Sequence, residues 1–273
     1  MARRLLGRTS VRDALDSAGI ALEASGCDTP RLDAELLLGH VLGVGRASLI
    51  AWPDRELEPD EARAFMDLAA RRRGREPVAY ILGTKGFRTI ELEVDPRVLV
   101  PRPETEFVVE AALELPQGAR VVDVGTGSGA IALALKTERP DLQVVATDVS
   151  AAALDVARAN AARLALDVEL LEGDLLDPVT GAVDAVVSNP PYVGADDRLP
   201  PDVLHEPREA LYAGPDGLEV IRRLVRAAEG VPFVALEVGA GQAPAVAELL
   251  AAWPHVELIR DLAGHERVVV GRA

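Results

Sequence analysis

Apolar and polar positions keep two different rhythms along this chain, and the change falls near residue 78. Over Val11 to Ala24 the apolar residues hold to one face of a helix. Asp28-Thr29-Pro30 offers a cap and then a proline for the first turn of a second helix. That helix runs through Leu36-Leu37-Leu38 to about Val41, and Gly43 stands where a C-terminal cap is wanted. Ala62, Phe65, Met66 and Ala69 recur at i, i+3, i+4 and i+7, which predicts a further helix. Short helices with short turns predict a small bundle. Arg71-Arg72-Arg73 reads as the solvated end of its last helix.

Between Val78 and Val100 the period drops to two. Thr89, Glu91 and Glu93 alternate with Ile90, Leu92 and Val94, and Gly83 and Gly86 ahead of them offer a place for a hairpin turn. The segment reads as a β-hairpin joining two domains. Pro101-Arg102-Pro103-Glu104-Thr105-Glu106 then starts a helix with acidic residues in its first turn. From Arg120 onward, apolar runs at Val121–Val124, Leu142–Thr147, Val168–Leu171, Val183–Val187, Pro232–Val238, Val256–Ile259 and Val268–Val270 alternate with helical stretches such as Ala130–Leu135 and Ala151–Leu164. This alternation predicts an α/β domain, a parallel sheet covered on both faces, with ligands at the carboxyl ends of its strands. The expected organisation is a helical domain over 1–76, a hairpin linker over 77–101 and an α/β domain over 102–273.

Composition narrows the classes. The 273 residues suit one large domain or two modest ones, and 49% hydrophobic content excludes a disordered chain. Aromatics supply 3%, so Ala, Val and Leu must build the core. The net charge is −15, and it is unevenly placed: residues 1–74 carry 11 Lys and Arg against 12 Asp and Glu, and the rest carry 18 against 32. That balance opposes broad binding to nucleic-acid phosphates. Cys27 is the one cysteine, which excludes an intramolecular disulfide and a Cys-rich zinc site and fits a reducing interior. Met1 to Gly7 is basic without a sustained apolar run, and no stretch approaches the ~20 apolar residues of a membrane span. A soluble, cytoplasmic protein is expected.

The candidate chemistry lies at strand ends. Asp123-Val124-Gly125-Thr126-Gly127-Ser128-Gly129 follows a strand and leads into a helix, so its glycines can turn sharply beneath a ligand while the helix offers free amides. Gly125, Gly127 and Ala130 also satisfy the dinucleotide pattern. Asp148 closes the next strand, where a carboxylate can accept from both ribose hydroxyls of either NAD or S-adenosylmethionine. Asp123 tips the balance: a carboxylate there suits an ammonium and repels a pyrophosphate. Asp174, after the third strand, is placed to accept from an adenine amino group.

Ser188-Asn189-Pro190-Pro191-Tyr192 ends the fourth strand, and two prolines cannot continue a ladder. The Asn189 side-chain oxygen and the Pro190 carbonyl form a pair of acceptors for the two hydrogens of a planar NH2, with the Tyr192 ring to pack against it. Acceptors are wanted because a delocalised nitrogen is a poor nucleophile, and carbonyl dipoles stabilise the positive charge that grows on it. No metal is needed when a neutral thioether leaves. A base flipped from nucleic acid would present the same amino group, although net −15 and the scarcity of aromatics weigh against it. A non-catalytic binding module would have no use for this loop.

These residues resemble the release-factor glutamine methyltransferases, and the resemblance covers nearly the whole chain. Glu76-Pro77-Val78-Ala79-Tyr80-Ile81-Leu82-Gly83, Val98 to Glu106, Glu206-Pro207-Arg208-Glu209-Ala210-Leu211, Gly214 to Leu218, and Leu236-Glu237-Val238-Gly239 with Gln242 are similar to that family's signatures. The resemblance implies an N-terminal helical bundle, a β-hairpin linker and a Rossmann-like seven-stranded S-adenosylmethionine-dependent methyltransferase domain. It implies that Gly125, Thr126, Gly127, Ser128, Gly129 and Asp148 bind the cofactor. It implies that Asn189, Pro190, Pro191 and Tyr192 hold the glutamine of a release factor's Gly-Gly-Gln loop, with Asn189 also bordering the cofactor. Leu175 stands where several relatives carry an aromatic residue, which keeps apolar packing on adenine and loses ring stacking. A monomer without a metal is expected.

Overall fold

A computed structural model describes residues 9–273; the basic start at Met1 to Gly7 lies outside the described residues. The chain divides into two units, one running to Gly83 and including Pro200–His205, the other comprising Thr84–Leu199 with Glu206–Ala273.

The first unit is helical: α1 (Val11–Ala24), α2 (Pro30–Leu42), α3 (Arg46–Ala51), α4 (Pro59–Arg73) and α5 (Val78–Leu82). Ser10 and Asp13 close a reciprocal capping box on α1, and Gly43 caps α2 in the left-handed region at φ +64°. Val11, Leu15, Leu22, Leu37, Leu38 and Phe65 meet in its core. The arginine run is a solvated helix end at Arg71 and Arg73, which are exposed, but not at Arg72. Arg72 is buried, its guanidinium bonded to Asp33 at 2.7 Å and to Asp202 at 2.7 Å, because a helix end facing two carboxylates can take an arginine inward at little cost in unpaired charge.

The second unit opens with β1 (Thr84–Phe87) and β2 (Ile90–Glu93), an antiparallel hairpin. Its turn is Arg88-Thr89, not the glycines ahead of it: Gly83 caps α5, and Gly86 sits inside β1 paired with Glu91. Arg88 takes the left-handed φ of +48° that the turn requires, and Glu106 and Glu138 hold its amide and guanidinium. There follow α6 (Glu106–Ala112), β3 (Arg120–Val124), α7 (Ala130–Glu138), β4 (Gln143–Asp148), α8 (Ala151–Leu164), β5 (Glu169–Glu172), β6 (Ala185–Ser188), α9 (Glu219–Ala227), β7 (Phe233–Glu237), α10 (Ala243–Leu249), β8 (His255–Arg260) and β9 (Glu266–Arg272).

The seven strands lie in the order β5-β4-β3-β6-β7-β9-β8. The expected all-parallel sheet is corrected at one edge: β9 runs antiparallel to β7, and β8 antiparallel to β9. The link from β8 to β9 is too short for a crossover helix, so only a hairpin can join them. Val122, Val145, Val186, Val234 and Leu236 pack from the sheet against Ile221 and Leu224 of α9 and Val246 of α10. The strand order reverses beside β3, so the carboxyl ends of β4, β3 and β6 border one crevice.

Candidate active site

That crevice is a cavity lined by the ends of four neighbouring strands. Gly125 and Gly127 come from the loop after β3, Asp148 from the end of β4, Asp174 and Leu175 from beyond β5, and Asn189, Pro190 and Pro191 from the tip of β6. The sheet register brings these groups together, with Val124 opposite Thr147 and Asp123 opposite Val187.

The glycine loop turns on the carbonyl of Thr147, which accepts from the amides of Gly125 at 2.8 Å and Thr126 at 3.0 Å. Gly125 and Gly127 adopt φ of +71° and +56°, and a Cβ on either would meet no described atom within 4 Å. Asp148 is fixed from both ends: one oxygen accepts from Gly127 N at 2.9 Å, the other from Ser150 N at 2.9 Å. Each oxygen keeps a lone pair for a ligand hydroxyl. Burial raises the Asp148 pKa above the usual carboxylate range.

Six of the expected cofactor residues line this cavity: Gly125, Gly127, Asp148, Asp174, Leu175 and Asn189. Thr126, Ser128 and Gly129 shape the turn instead, and a Cβ on Gly129 would strike Leu133. Asp123 does not face a ligand. It is wholly buried, its Oδ2 accepting from Thr126 Oγ1 at 2.6 Å and Ala132 N at 3.1 Å, so it seats the first turn of α7. Among the described residues its Oδ1 has no partner, and burial pushes its carboxyl up to about 7. The electrostatic preference expected of Asp123 falls instead to Asp148, Asp174 and Glu209, which line the cavity against Arg97 and Arg223. Asp174 is paired with Arg223, so an adenine amino group would have to share it. Leu175 sits at φ +51°, a strained backbone for a leucine, and its carbonyl accepts from Thr147 Oγ1 at 2.8 Å.

At the tip of β6, Asn189 Nδ2 donates to Thr105 Oγ1 at 3.0 Å, and Thr105 Oγ1 donates to Glu237 Oε2 at 2.6 Å. The Tyr192 ring packs against the sheet core rather than lining the cavity, and its hydroxyl donates to Glu237 Oε1 at 3.4 Å. Glu237 is buried, and that burial raises its carboxyl to about 7. Burial and the nearby Glu237 carboxylate also raise the Tyr192 phenol beyond its ordinary value, so it stays a neutral donor. Beyond the tip, Gln242 Nε2 donates to the Tyr192 carbonyl at 3.0 Å, and its Oε1 accepts from Gly239 N at 2.9 Å. Val193 exchanges amide bonds with Leu211 and Ala213, so the loop after the prolines is pinned on two sides.

Thr105 and Glu237, for which the sequence alone suggests no role in the site, both fall in the signatures quoted above. The available signal was Glu237 itself, an acid ending a run that is otherwise apolar from Phe233.

Residues 13–83 match the family model of the PrmC N-terminal domain, and residues 104–223 match that of the methyltransferase small domain. A release factor glutamine methyltransferase of Deinococcus radiodurans is 45% identical over 96% of this chain and 98% of its own. The chain belongs to the release factor glutamine methyltransferase family. The counterpart in Mycolicibacterium smegmatis is 46% identical over 80% of this chain and 79% of its own. A solved methyltransferase from Pyrococcus furiosus, 21% identical, shares the fold over 66% of this chain and 87% of its own, with a TM-score of 0.52. As a member of this methyltransferase family, the chain gives its signatures physical jobs. Glu206 accepts from the Val100 amide at 3.0 Å and pairs with Arg102, so it anchors the segment that delivers Thr105 to Asn189.

Proposed function

We propose that this chain methylates the side-chain amide nitrogen (N5) of the glutamine in the Gly-Gly-Gln loop of peptide chain release factors, with S-adenosylmethionine as donor, and so modulates translation termination. The family supports the substrate, and one observation carries the chemistry: Asn189 gives its NH2 to Thr105, which leaves its oxygen for a ligand in the cavity that Asn189 lines.

The lining fits the donor. Asp148 can take the ribose hydroxyls, the glycine loop allows close approach, and the acidic lining favours a cation over a pyrophosphate. Bound there, S-adenosylmethionine supplies an electrophilic methyl on a sulfonium whose leaving group is a neutral thioether. Asn189 Oδ1 and the Pro190 carbonyl accept the two amide hydrogens of the substrate and turn the nitrogen lone pair toward the donor. The same two dipoles stabilise positive charge as the N–C bond forms and the S–C bond breaks. Alignment of this kind recovers about 7–11 kcal/mol of barrier. The surplus proton on nitrogen then leaves to water, so Asn189 and Pro190 need no basic partner.

The helical unit is the part we assign to holding the release factor, in line with its match to the PrmC N-terminal domain. The hairpin serves the catalytic unit. One chain supplies every group named, so a monomer suffices.

Incubation with labelled S-adenosylmethionine and recombinant release factor, followed by peptide mapping, tests the proposal. Label on the Gly-Gly-Gln glutamine is expected. Absence of label there with donor bound, or efficient labelling of naked DNA or RNA instead, would overturn it.

A further inference from the structure

A primary amide is nearly symmetric in shape, yet its two ends are opposite in polarity. Nothing steric prevents Asn189 from turning by a half-circle and offering NH2 where an acceptor is needed. We infer that Thr105 and Glu237 are positioning residues for the reaction, a two-step latch in which Glu237 sets the direction of the Thr105 hydroxyl and that hydroxyl sets which end of Asn189 faces the substrate. The inference rests on the methyl-acceptor role given to Asn189 above.

The latch follows from counting protons. An ionised carboxylate only accepts, so Thr105, at 2.6 Å from Glu237 Oε2, must donate to it. A hydroxyl has one proton, so toward Asn189 the same oxygen only accepts, and it selects Nδ2 at 3.0 Å. Oδ1 is thereby left for the substrate amide hydrogen. Were the hydroxyl reversed, it would draw Oδ1 to itself and set a donor against a donor. Glu237 is buried, and Thr105 is 4% exposed, so water does not compete for these bonds. The second Glu237 oxygen takes the Tyr192 hydroxyl, which ties the far end of the Asn-Pro-Pro-Tyr loop to the same carboxylate.

The Glu237 charge is therefore part of the device. Glu104 and Arg267 act on this carboxyl from the neighbouring turn and from β9, Glu104 raising and Arg267 lowering its pKa, with Thr105 and Tyr192 as its hydrogen-bond donors. A proton on Oε2 would oblige Thr105 to accept from Glu237 and release its own proton toward Asn189. The latch then points the wrong way, and turnover falls on the acid side.

The experiment compares wild type, Thr105→Val and Thr105→Ser as full-length chains. Valine keeps the shape and removes the hydroxyl; serine restores it. Thr105→Val is expected to lower kcat at least tenfold with the donor Kd within twofold, to abolish the acid limb of the kcat–pH profile, and to leave unfolding by urea cooperative. Thr105→Ser is expected to return kcat to within threefold of wild type and to restore the limb. A second readout needs no turnover: in the free protein, the Asn189 side-chain NH2, assigned by its disappearance in Asn189→Asp, should exchange with water at least tenfold faster in Thr105→Val than in wild type or Thr105→Ser. Unchanged exchange in Thr105→Val, or a kcat loss that Thr105→Ser does not repair, would overturn the latch. Wild type that binds donor without methylating the glutamine would overturn the proposed function instead, and the exchange measurement would still decide the latch.

Discussion

Gly217→Ala separates backbone strain from damage to the catalytic loop. Gly217 has φ +72°, and a Cβ there would lie 2.9 Å from the Tyr192 carbonyl carbon, closer still to its oxygen, and 2.9 Å from Gln242 Nε2. Gly230 has φ +85° with nothing within 4 Å of its Cβ, so Gly230→Ala carries the strain alone. An L-residue in the left-handed region costs about 1–2 kcal/mol, and both variants should lose that much stability. In Gly217→Ala the Tyr192 carbonyl must also retreat by about 1 Å, at a further cost of about 1–3 kcal/mol from crowding. That carbonyl belongs to the loop that holds Asn189 and Pro190, and a shift of about 1 Å at a reacting site costs about 100-fold in rate. Urea unfolding, calorimetric titration of the donor and single-turnover methylation read the three effects separately. The donor Kd should stay near wild type in both variants, while the rate falls about 100-fold in Gly217→Ala alone. Equal rates in the two alanine variants would refute the claim that Gly217 underlies the acceptor loop.

Four more outcomes follow from the same geometry. Asn189→Ala should lower kcat by about 100-fold or more with little change in donor Kd, because it removes an acceptor aimed at the nitrogen; Asp148→Ala should raise the donor Kd at least tenfold by losing charge-assisted bonds of about 1.5–3 kcal/mol each, and calorimetry with steady-state kinetics would expose a uniform effect of either. Asn160→Ala should cost about 2–4 kcal/mol in urea unfolding, since buried Asn160 bonds the Glu93 amide at 2.7 Å and the carbonyls of Glu93 and Ser128 at 3.0 Å each. Asp123 reports through pH: burial raises its folded value to about 7 from 3.8, so the native state binds the extra proton. Its stabilising contribution is whole below pH ~4 and is lost as pH rises toward ~7. Relative to Asp123→Asn, wild type should therefore weaken across that window, and parallel pH profiles of urea midpoints would contradict the assignment.

Much of the fold was legible because periodicity and burial coincide. All seven predicted runs are strands, and α1, α2 and α4 appear where the apolar spacing put them. The exceptions share a cause, which is that chain direction and side-chain aim are decided by tertiary partners. A run such as Val268–Val270 is equally apolar in a parallel or an antiparallel strand. Arg72 looks solvated until Asp33 and Asp202 are beside it. Asp123 and Asp148 both fall at the carboxyl ends of neighbouring strands, yet one carboxylate turns under the glycine loop and the other lines the cavity. The Asn189 amide reads as an acceptor from sequence, but its orientation depends on Thr105 and Glu237, 84 residues before it and 48 after. Such separations leave no local trace.

Asn160 bears on how this protein can be dissected. It clasps Glu93 of β2 to Ser128 of the glycine loop, and the hairpin clusters with the catalytic unit from Thr84 onward. A fragment cut at residue 102, the expected start of the α/β domain, would strip a buried amide beside the glycine loop of two of its three bonds to Glu93 and Ser128. A portable catalytic module has to start upstream of the hairpin, and a graft between homologues should exchange hairpin and glycine loop as one piece.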